Sequence, residues 1–302
     1  MTIEVLPVDW NDDEMVALIS RLLNVSFNTT NNPSFSPDLL RWKHRDNPWG
    51  QSISYIAYDK EIGLIGLRTF LRWEFKNADG VYKAYQPVDT ATSPLARGRG
   101  VFSMLTKKAL SDTADGIIFN TPNKNSFPGY MKMGWNHLGY IKFSVMPRML
   151  LFCRTLPDIK SINKSTFNDN SFCNNVAKSK NLCTNKTSDY LIWRFVNIPN
   201  IEYKLLKVSE SFSLIYRTKQ RAGLKELMIC DFIGDLDVSP TKFHLELQKL
   251  LCVEKCNYSV ICFKDVPKGL EATFIRIPFK KMNFVTKSEK DFEFSLSDIE
   301  VF

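Results

Sequence analysis

Several familiar signals are missing from this 302-residue sequence, and each absence removes a class of function. No run of about 18 apolar residues occurs, so no helix is expected to span a membrane. The seven cysteines form no CxxC pair and only three histidines accompany them, so the ligand spacings of zinc sites are lacking and no metal is expected. The start, MTIEVLPVDWNDDEM, is acidic and lacks the basic and apolar regions of a secretory signal. With an odd cysteine count, this makes the cytoplasm the expected compartment. G-x-G-x-x-G is absent, and no GKS or GKT follows a glycine-rich loop, which removes the dinucleotide fingerprint and the P-loop.

What is present describes a globular chain. Hydrophobic residues make up 44% and charged residues 24%, enough for real cores. The length suggests two domains of ordinary size. The formal net charge is +8 and the pI about 9.0, which favours anionic partners. The basic residues are scattered, with no block of five or more, so no nucleic-acid partner is expected. A phosphate-rich coenzyme or a nucleotide-linked substrate fits better.

Periodicity outlines the elements. A strand is predicted at Ile3–Val8, capping carboxylates within Asp9–Asp13, and a helix at Glu14–Val25. Ser36–Pro37–Asp38 starts a second helix through Leu39–His44. Strands follow at Ser54–Asp59, Gly63–Arg72 and Val81–Thr92, then a helix at Val101–Leu110, a strand at Gly116–Asn120 and a short helix at Ser126–Met133. Tyr140–Leu151 is strand-like again, interrupted at Pro147. From about Arg154 to Thr187 the composition turns to Asn, Ser, Lys and Thr, as in a linker, with a helix near Asp169–Lys178.

The chain then repeats itself. Leu40-x-Trp42-Lys43 followed by Pro48 is matched by Leu191-x-Trp193-Arg194 followed by Pro199, at a constant offset of 151 residues. Strands follow in both halves, here Tyr203–Val208, Phe212–Thr218 and Leu224–Ile233, then a helix at Thr241–Leu251 and a strand at Tyr258–Phe263. Shared element order points to a duplicated domain, divided as residues 1–153 and 154–302. The repeated Trp42 is read as core.

The halves differ at one place. In the first, the strand Tyr85–Thr92 leads through Arg97–Gly98–Arg99–Gly100 into Val101–Phe102 and a helix. Backbone N–H groups at a helix start bind phosphate, glycines allow close approach, and arginines add charge. The second half enters its helix through Val238–Ser239–Pro240–Thr241, without such a loop. By itself the loop supports anion binding and no more.

After the loop and a strand comes Asn123-x-x-Ser126-x-x-x-Tyr130-x-x-x-Gly134-Trp135. Together these motifs resemble the GNAT superfamily of acyl-CoA N-acyltransferases, over about residues 54–146. The resemblance implies an α/β fold of two GNAT-like domains, the second degenerate. Each would be a mixed, mostly antiparallel sheet flanked by helices and splayed at the coenzyme site. Two-domain chains of this kind are similar to bacterial acyltransferases acting on nucleotide-linked amino sugars. The implied co-substrate is acyl-CoA. Arg97, Gly98, Arg99, Gly100, Val101 and Phe102 would form its pyrophosphate loop, and Ala91 and Thr92 would pair along the pantetheine arm. Asn123, beside Ser126, would bind that arm from the far side. Tyr130 would direct its hydroxyl to the thioester sulfur. Phe102 stands where a small residue is usual.

The position where several relatives carry a base is Gln86, which cannot take a proton at neutral pH. Asp89 is the nearest carboxylate, on the opposite strand face unless a bulge intervenes. We therefore expect Gln86 and Asp89 to orient the amine while water removes its proton. The expected acceptor is a dTDP-type deoxyamino sugar in bacterial surface polysaccharide (lipopolysaccharide) biosynthesis, taking an acetyl or short hydroxyacyl group such as 3-hydroxybutyryl. The alternatives are an aminoglycoside, a polyamine or a peptide, or a sensor that binds acyl-CoA without turnover. Arg45, Arg68 and Arg72 are read as ordinary solvated charges that can meet a diphosphate, and His137, a weak candidate for the base, as a surface or structural histidine. If the duplication is internal, the chain is expected to be monomeric.

Overall fold

The computed structural model describes residues 3–29, 34–149, 155–167, 181–234, 238–263, 269–288, 290 and 292–299. The first half opens with strand β1 (Ile3–Pro7) and helices α1 (Asp13–Ser26) and α2 (Pro37–His44). Asp12 caps α1 through the N–H groups of Glu14 and Met15, and Ser36 caps α2 with Pro37 in its first turn. Strands β2 (Ile53–Asp59), β3 (Gly63–Asn77) and β4 (Gly80–Thr92) follow, then α3 (Val101–Ser111), β5 (Ile117–Asn120), α4 (Phe127–Lys132) and β6 (Asn136–Pro147). The second half holds β7 (Asp158–Ser161), β8 (Cys183–Thr184), α5 (Ser188–Phe195), β9 (Lys204–Lys207), β10 (Phe212–Arg221) and β11 (Leu224–Gly234). It ends with α6 (Pro240–Val253), β12 (Tyr258–Phe263) and β13 (Ile275–Thr286).

One mixed, mostly antiparallel sheet of 13 strands carries all of this, in the order β1-β2-β3-β4-β5-β13-β6-β12-β11-β10-β9-β7, with β8 pairing β3. Inward from either edge the pairings are the same: three antiparallel, one parallel (β4 with β5, β11 with β12), then antiparallel again. The two central strands have changed places. β13, from the end of the chain, lies between β5 and β6, while β6 pairs with β12.

Sequence reading missed β13. Its segment contains Pro278, Lys280 and Lys281, and its register on β6 shifts between Arg276 and Lys281, so the alternation of a strand is broken. Part of the expected linker is ordered differently, since β7 forms a sheet edge against β9. The helix expected near Asp169–Lys178 and the boundary expected at residue 153 lie outside the described residues. β3 continues to Asn77 and β6 starts at Asn136, both longer toward the polar ends than periodicity suggested.

The repeated tryptophans meet. Trp42 Nε1 donates to the Trp193 carbonyl at 2.8 Å, and Trp193 Nε1 donates to the Trp42 carbonyl at 2.8 Å. Their rings stack at 4.8 Å. This reciprocal pair sits in the largest core, with Phe75, Phe119, Phe284, Phe292 and Phe294 buried in the same cluster. Aromatic residues supply large apolar areas, and both indole N–H groups have partners, so neither imposes an unsatisfied polar atom. Trp193→Phe leaves one buried carbonyl without its donor and should cost about 1–3 kcal/mol in urea unfolding. A loss below about 0.5 kcal/mol would mean that the stack alone holds the halves.

Candidate active site

Helix α3 is brought down onto the sheet by a glycine. A methyl at Gly66 of β3 would lie 2.5 Å from Val101 Cγ1, so only a residue without Cβ allows this approach. The turn before α3 reverses through Gly98 and Gly100, both left-handed with φ of 79° and 75°. Gly100 is the N-cap, and no side chain caps the helix. The N–H groups of the first turn therefore face outward with the positive end of the helix dipole. The corresponding helix of the second half is closed: Ser239 Oγ accepts from the Lys242 N–H at 3.2 Å, with Pro240 in the first turn. Arg97 and Arg99 are exposed beside the open end, Arg99 lying 3.8 Å from Asp59 at the end of β2.

Next to that end the sheet opens. β4 and β5 pair only at Ala84–Ile117 and Tyr85–Ile118, and β4 then runs on to Thr92 held by β3 alone. Ala91 opposes Leu67 and Thr92 opposes Gly66 along this splayed stretch. Asn123 turns inward on its own segment. Its Oδ1 accepts from the N–H groups of Asn125 and Ser126 and from the Ser126 hydroxyl, which fixes the entry to α4.

Tyr130 of α4 is buried at 2% exposure. Its hydroxyl oxygen accepts from Asn120 Nδ2 at 2.6 Å and from an Arg68 terminal nitrogen at 3.0 Å. Asn120 Oδ1 takes the Thr121 N–H, which fixes the orientation of the amide. Arg68 departs from its sequence reading as a solvated charge: it is 1% exposed, and it also donates to Thr90 Oγ1 at 2.7 Å. An arginine in the middle of the apolar run Leu64–Leu71 is the signal that marks it. Arg45 pairs with Asp46, and Arg72 donates to the Gln51 carbonyl. His137 packs between Phe127 and Tyr140 at the surface.

Asp89 sits at a bulge. Leu67 opposes Ala91 and Thr69 opposes Val88, so Asp89 and Thr90 together face Arg68, and Asp89 takes a φ of 44°. Lys43 Nζ and His44 Nε2 both reach the same Asp89 oxygen, Oδ2, at 2.8 Å. Burial alone would raise the Asp89 pKa, but the Lys43 ammonium and His44 hold it well below the ordinary carboxylate range. Such a group is an anchor and a hydrogen-bond acceptor, not a base. Its other oxygen, Oδ1, is buried without a hydrogen-bond partner, as is Gln86 Oε1. Sequence reasoning did not find Lys43 and His44, which are two helix positions with no local pattern to mark them.

Residues 10–138 match the family model of the acetyltransferase (GNAT) domain. A probable N-acyltransferase from Enterococcus faecalis has the same fold, with a TM-score of 0.66 and 16% identity over 95% of this chain and 72% of that one. A GCN5-related N-acetyltransferase from Anabaena variabilis matches with a TM-score of 0.66 and 12% identity over 94% of this chain and 72% of its own. N-myristoyltransferase of Saccharomyces cerevisiae, solved with bound myristoyl-CoA, matches with a TM-score of 0.64 and 8% identity over 94% and 82%. No curated protein matches the chain. The domain match supports an acyl-CoA-dependent N-acyltransferase, and the solved structures share the fold.

His44 provides a test of the buried cluster. Burial lowers its pKa from 6.5 despite the opposing pull of Asp89. Below pH 6.5 the unfolded chain takes up this proton while the folded chain does not, so stability falls as pH falls. The slope from this group is up to about 1.4 kcal/mol per pH unit. The depressed Asp89 pKa acts only below its ordinary 3.8, where stability is lost as the carboxylate protonates. Urea unfolding between pH 5 and 7 should show the His44 slope, and His44→Gln should flatten it. An unchanged slope would mean that another group titrates.

Proposed function

We propose that the chain moves an acyl group, acetyl or a short hydroxyacyl such as 3-hydroxybutyryl, from acyl-CoA to the amine of a nucleotide-linked deoxyamino sugar. The reading places a dTDP-type acceptor in bacterial surface polysaccharide assembly, in the cytoplasm. Residues 1–153 would be the catalytic copy and 154–302 the degenerate copy of one domain. The mirrored halves would pair within one chain as two subunits would, which leaves a monomer. The pyrophosphate would meet the Arg97–Phe102 turn, and the pantetheine arm would run beside Ala91, Thr92 and Asn123, with Ser126 fixing the turn.

The observation that carries the amine acceptor is the pair of unpartnered buried oxygens on β4, Gln86 Oε1 and Asp89 Oδ1. Buried acceptors without donors are costly, and an amine supplies N–H groups for both. An amine near pKa 7.7–8, about the value of an α-amino group, has a usable neutral fraction at neutral pH. Its lone pair attacks the thioester carbonyl, the C–N bond forms and the C–S bond breaks. The amine gives its proton to water, and Tyr130 gives its own to the leaving thiolate.

The anionic character of the acceptor draws on a cavity of about 340 Å³ where β6 meets strands of the second half. Phe143 and Met228 line it together with the cations Lys219, Arg221, Lys280 and Lys281 and one carboxylate, Glu226, which pairs with Arg221 at 3.1 Å and leaves the three lysines in excess. Burial and the neighbouring Arg221 lower the Lys280 pKa, as expected where positive charge is in excess. β13 leads from Met282 at the cavity to Val285 opposite Asn120, three residues or about 10 Å of strand. A cationic polyamine or aminoglycoside does not suit such a surface.

A thiol-release assay with acetyl-CoA tests the reading against a dTDP-linked amino sugar, an aminoglycoside, spermidine and a peptide, with product masses recorded. Release with the sugar nucleotide alone is expected. Release with another amine would replace the acceptor, and none with any amine, despite coenzyme binding, would leave an acyl-CoA sensor. Gln86→Leu should raise the acceptor KM about tenfold, the worth of one hydrogen bond.

A further inference from the structure

Arg68 is a charge that the fold does not neutralise. Its guanidinium is permanently protonated, and among the described residues no carboxylate pairs with it. It lies between aromatic rings, 5.1 Å from the Phe70 centroid, 5.0 Å from Phe102 and 5.8 Å from Tyr130. Its Nε has no hydrogen-bond partner at all. A buried cation without a counter-ion opposes folding, and packed apolar groups of the same volume are often as stable or more so. What the cation does touch is informative. It donates to Thr90 beside Asp89 at the bulge and to the Tyr130 hydroxyl oxygen.

That oxygen can accept two hydrogen bonds and donate one. Arg68 and Asn120 supply both of the bonds it accepts, so the phenolic hydrogen is turned away from them. Tyr130 is itself buried and held edge-on against Trp135, with ring centroids 4.8 Å apart. The side chain is thereby fixed as a donor. When its proton leaves, the negative charge left on oxygen faces a cation in a low-dielectric site, where such an interaction is strong.

We infer that Arg68 is a positioning residue for acyl transfer, retained at a cost in stability because it orients Tyr130 as a proton donor and stabilises the charge that develops on its oxygen. The inference rests on the reading of Tyr130 as the donor to the leaving thiolate. It makes function and stability move in opposite directions. Arg68→Met fills the aromatic cage without the charge. It should leave the melting temperature unchanged or raised and CoA affinity within about twofold, while kcat falls about 10- to 100-fold.

A double-mutant cycle with Tyr130→Phe decides the matter, using thiol release for kcat and calorimetry for CoA binding. If Arg68 acts through Tyr130, Arg68→Met adds no further loss once Tyr130→Phe is present. Losses that multiply, or weaker CoA binding with unchanged kcat, would overturn the inference. A Tyr130→Phe enzyme of full activity would instead overturn the donor reading beneath it. Should Arg68→Met fail to fold, Arg68→Gln gives the same cycle, because it removes the charge while keeping a polar side chain at the site.

Discussion

Two strands in the middle of the sheet are held by the opposite half of the chain. β13 closes the space beside β5, and β6 closes the space beside β12, so neither half completes its sheet from its own sequence. The paired tryptophans act in the same way, each donating to the other's backbone. Backbone groups at an open strand edge need partners, and a half without its exchanged strand would expose such an edge. The second half therefore contributes to the first even where it carries no open helix end. It supplies the strand that runs past Asn120, and Asn120 holds Tyr130.

Within that frame the site differs from its mirror image in what is left unsatisfied. In α6 Ser239 caps the first turn, whereas no side chain caps the first turn of α3. The parallel pair β4–β5 ends at Tyr85, and four residues further along β4 the bulge at Asp89 brings Arg68 opposite two residues in place of one. Unpaired buried atoms gather there: Arg68 Nε, Gln86 Oε1 and Asp89 Oδ1. Native cores keep few such atoms, and a group of them near one splayed strand costs stability that substrate can return. Lys43 and His44 keep the Asp89 carboxylate charged without making it basic.

Much of this was legible in the sequence, for identifiable reasons. Regular elements with clean caps, such as α1 after Asp12 and α2 after Ser36, were readable because their signals are local. The Trp42–Trp193 repeat was readable because its flanking Leu and Pro recur at the same offset. β13 was not, since Pro278 and two lysines obscure its alternation and its partners lie more than a hundred residues away. Asp89 was placed on the opposite strand face unless a bulge intervened, and the bulge is there. The burial of Arg68 depends on Phe102 of α3 and Tyr130 of α4 packing over it, and only its apolar neighbours in sequence hinted at that. Lys43 and His44 belong to a helix whose partner strand is 45 residues distant, measured from His44 to Asp89.

The contrast between the open α3 and the closed α6 is the centre of the account, and stoichiometry tests it most directly. Calorimetric titration of the whole chain with CoA should give one site per chain, abolished by Gly100→Val, since a β-branched residue is strained at a φ of 75°. Two sites per chain, or one site that survives Gly100→Val, would contradict it.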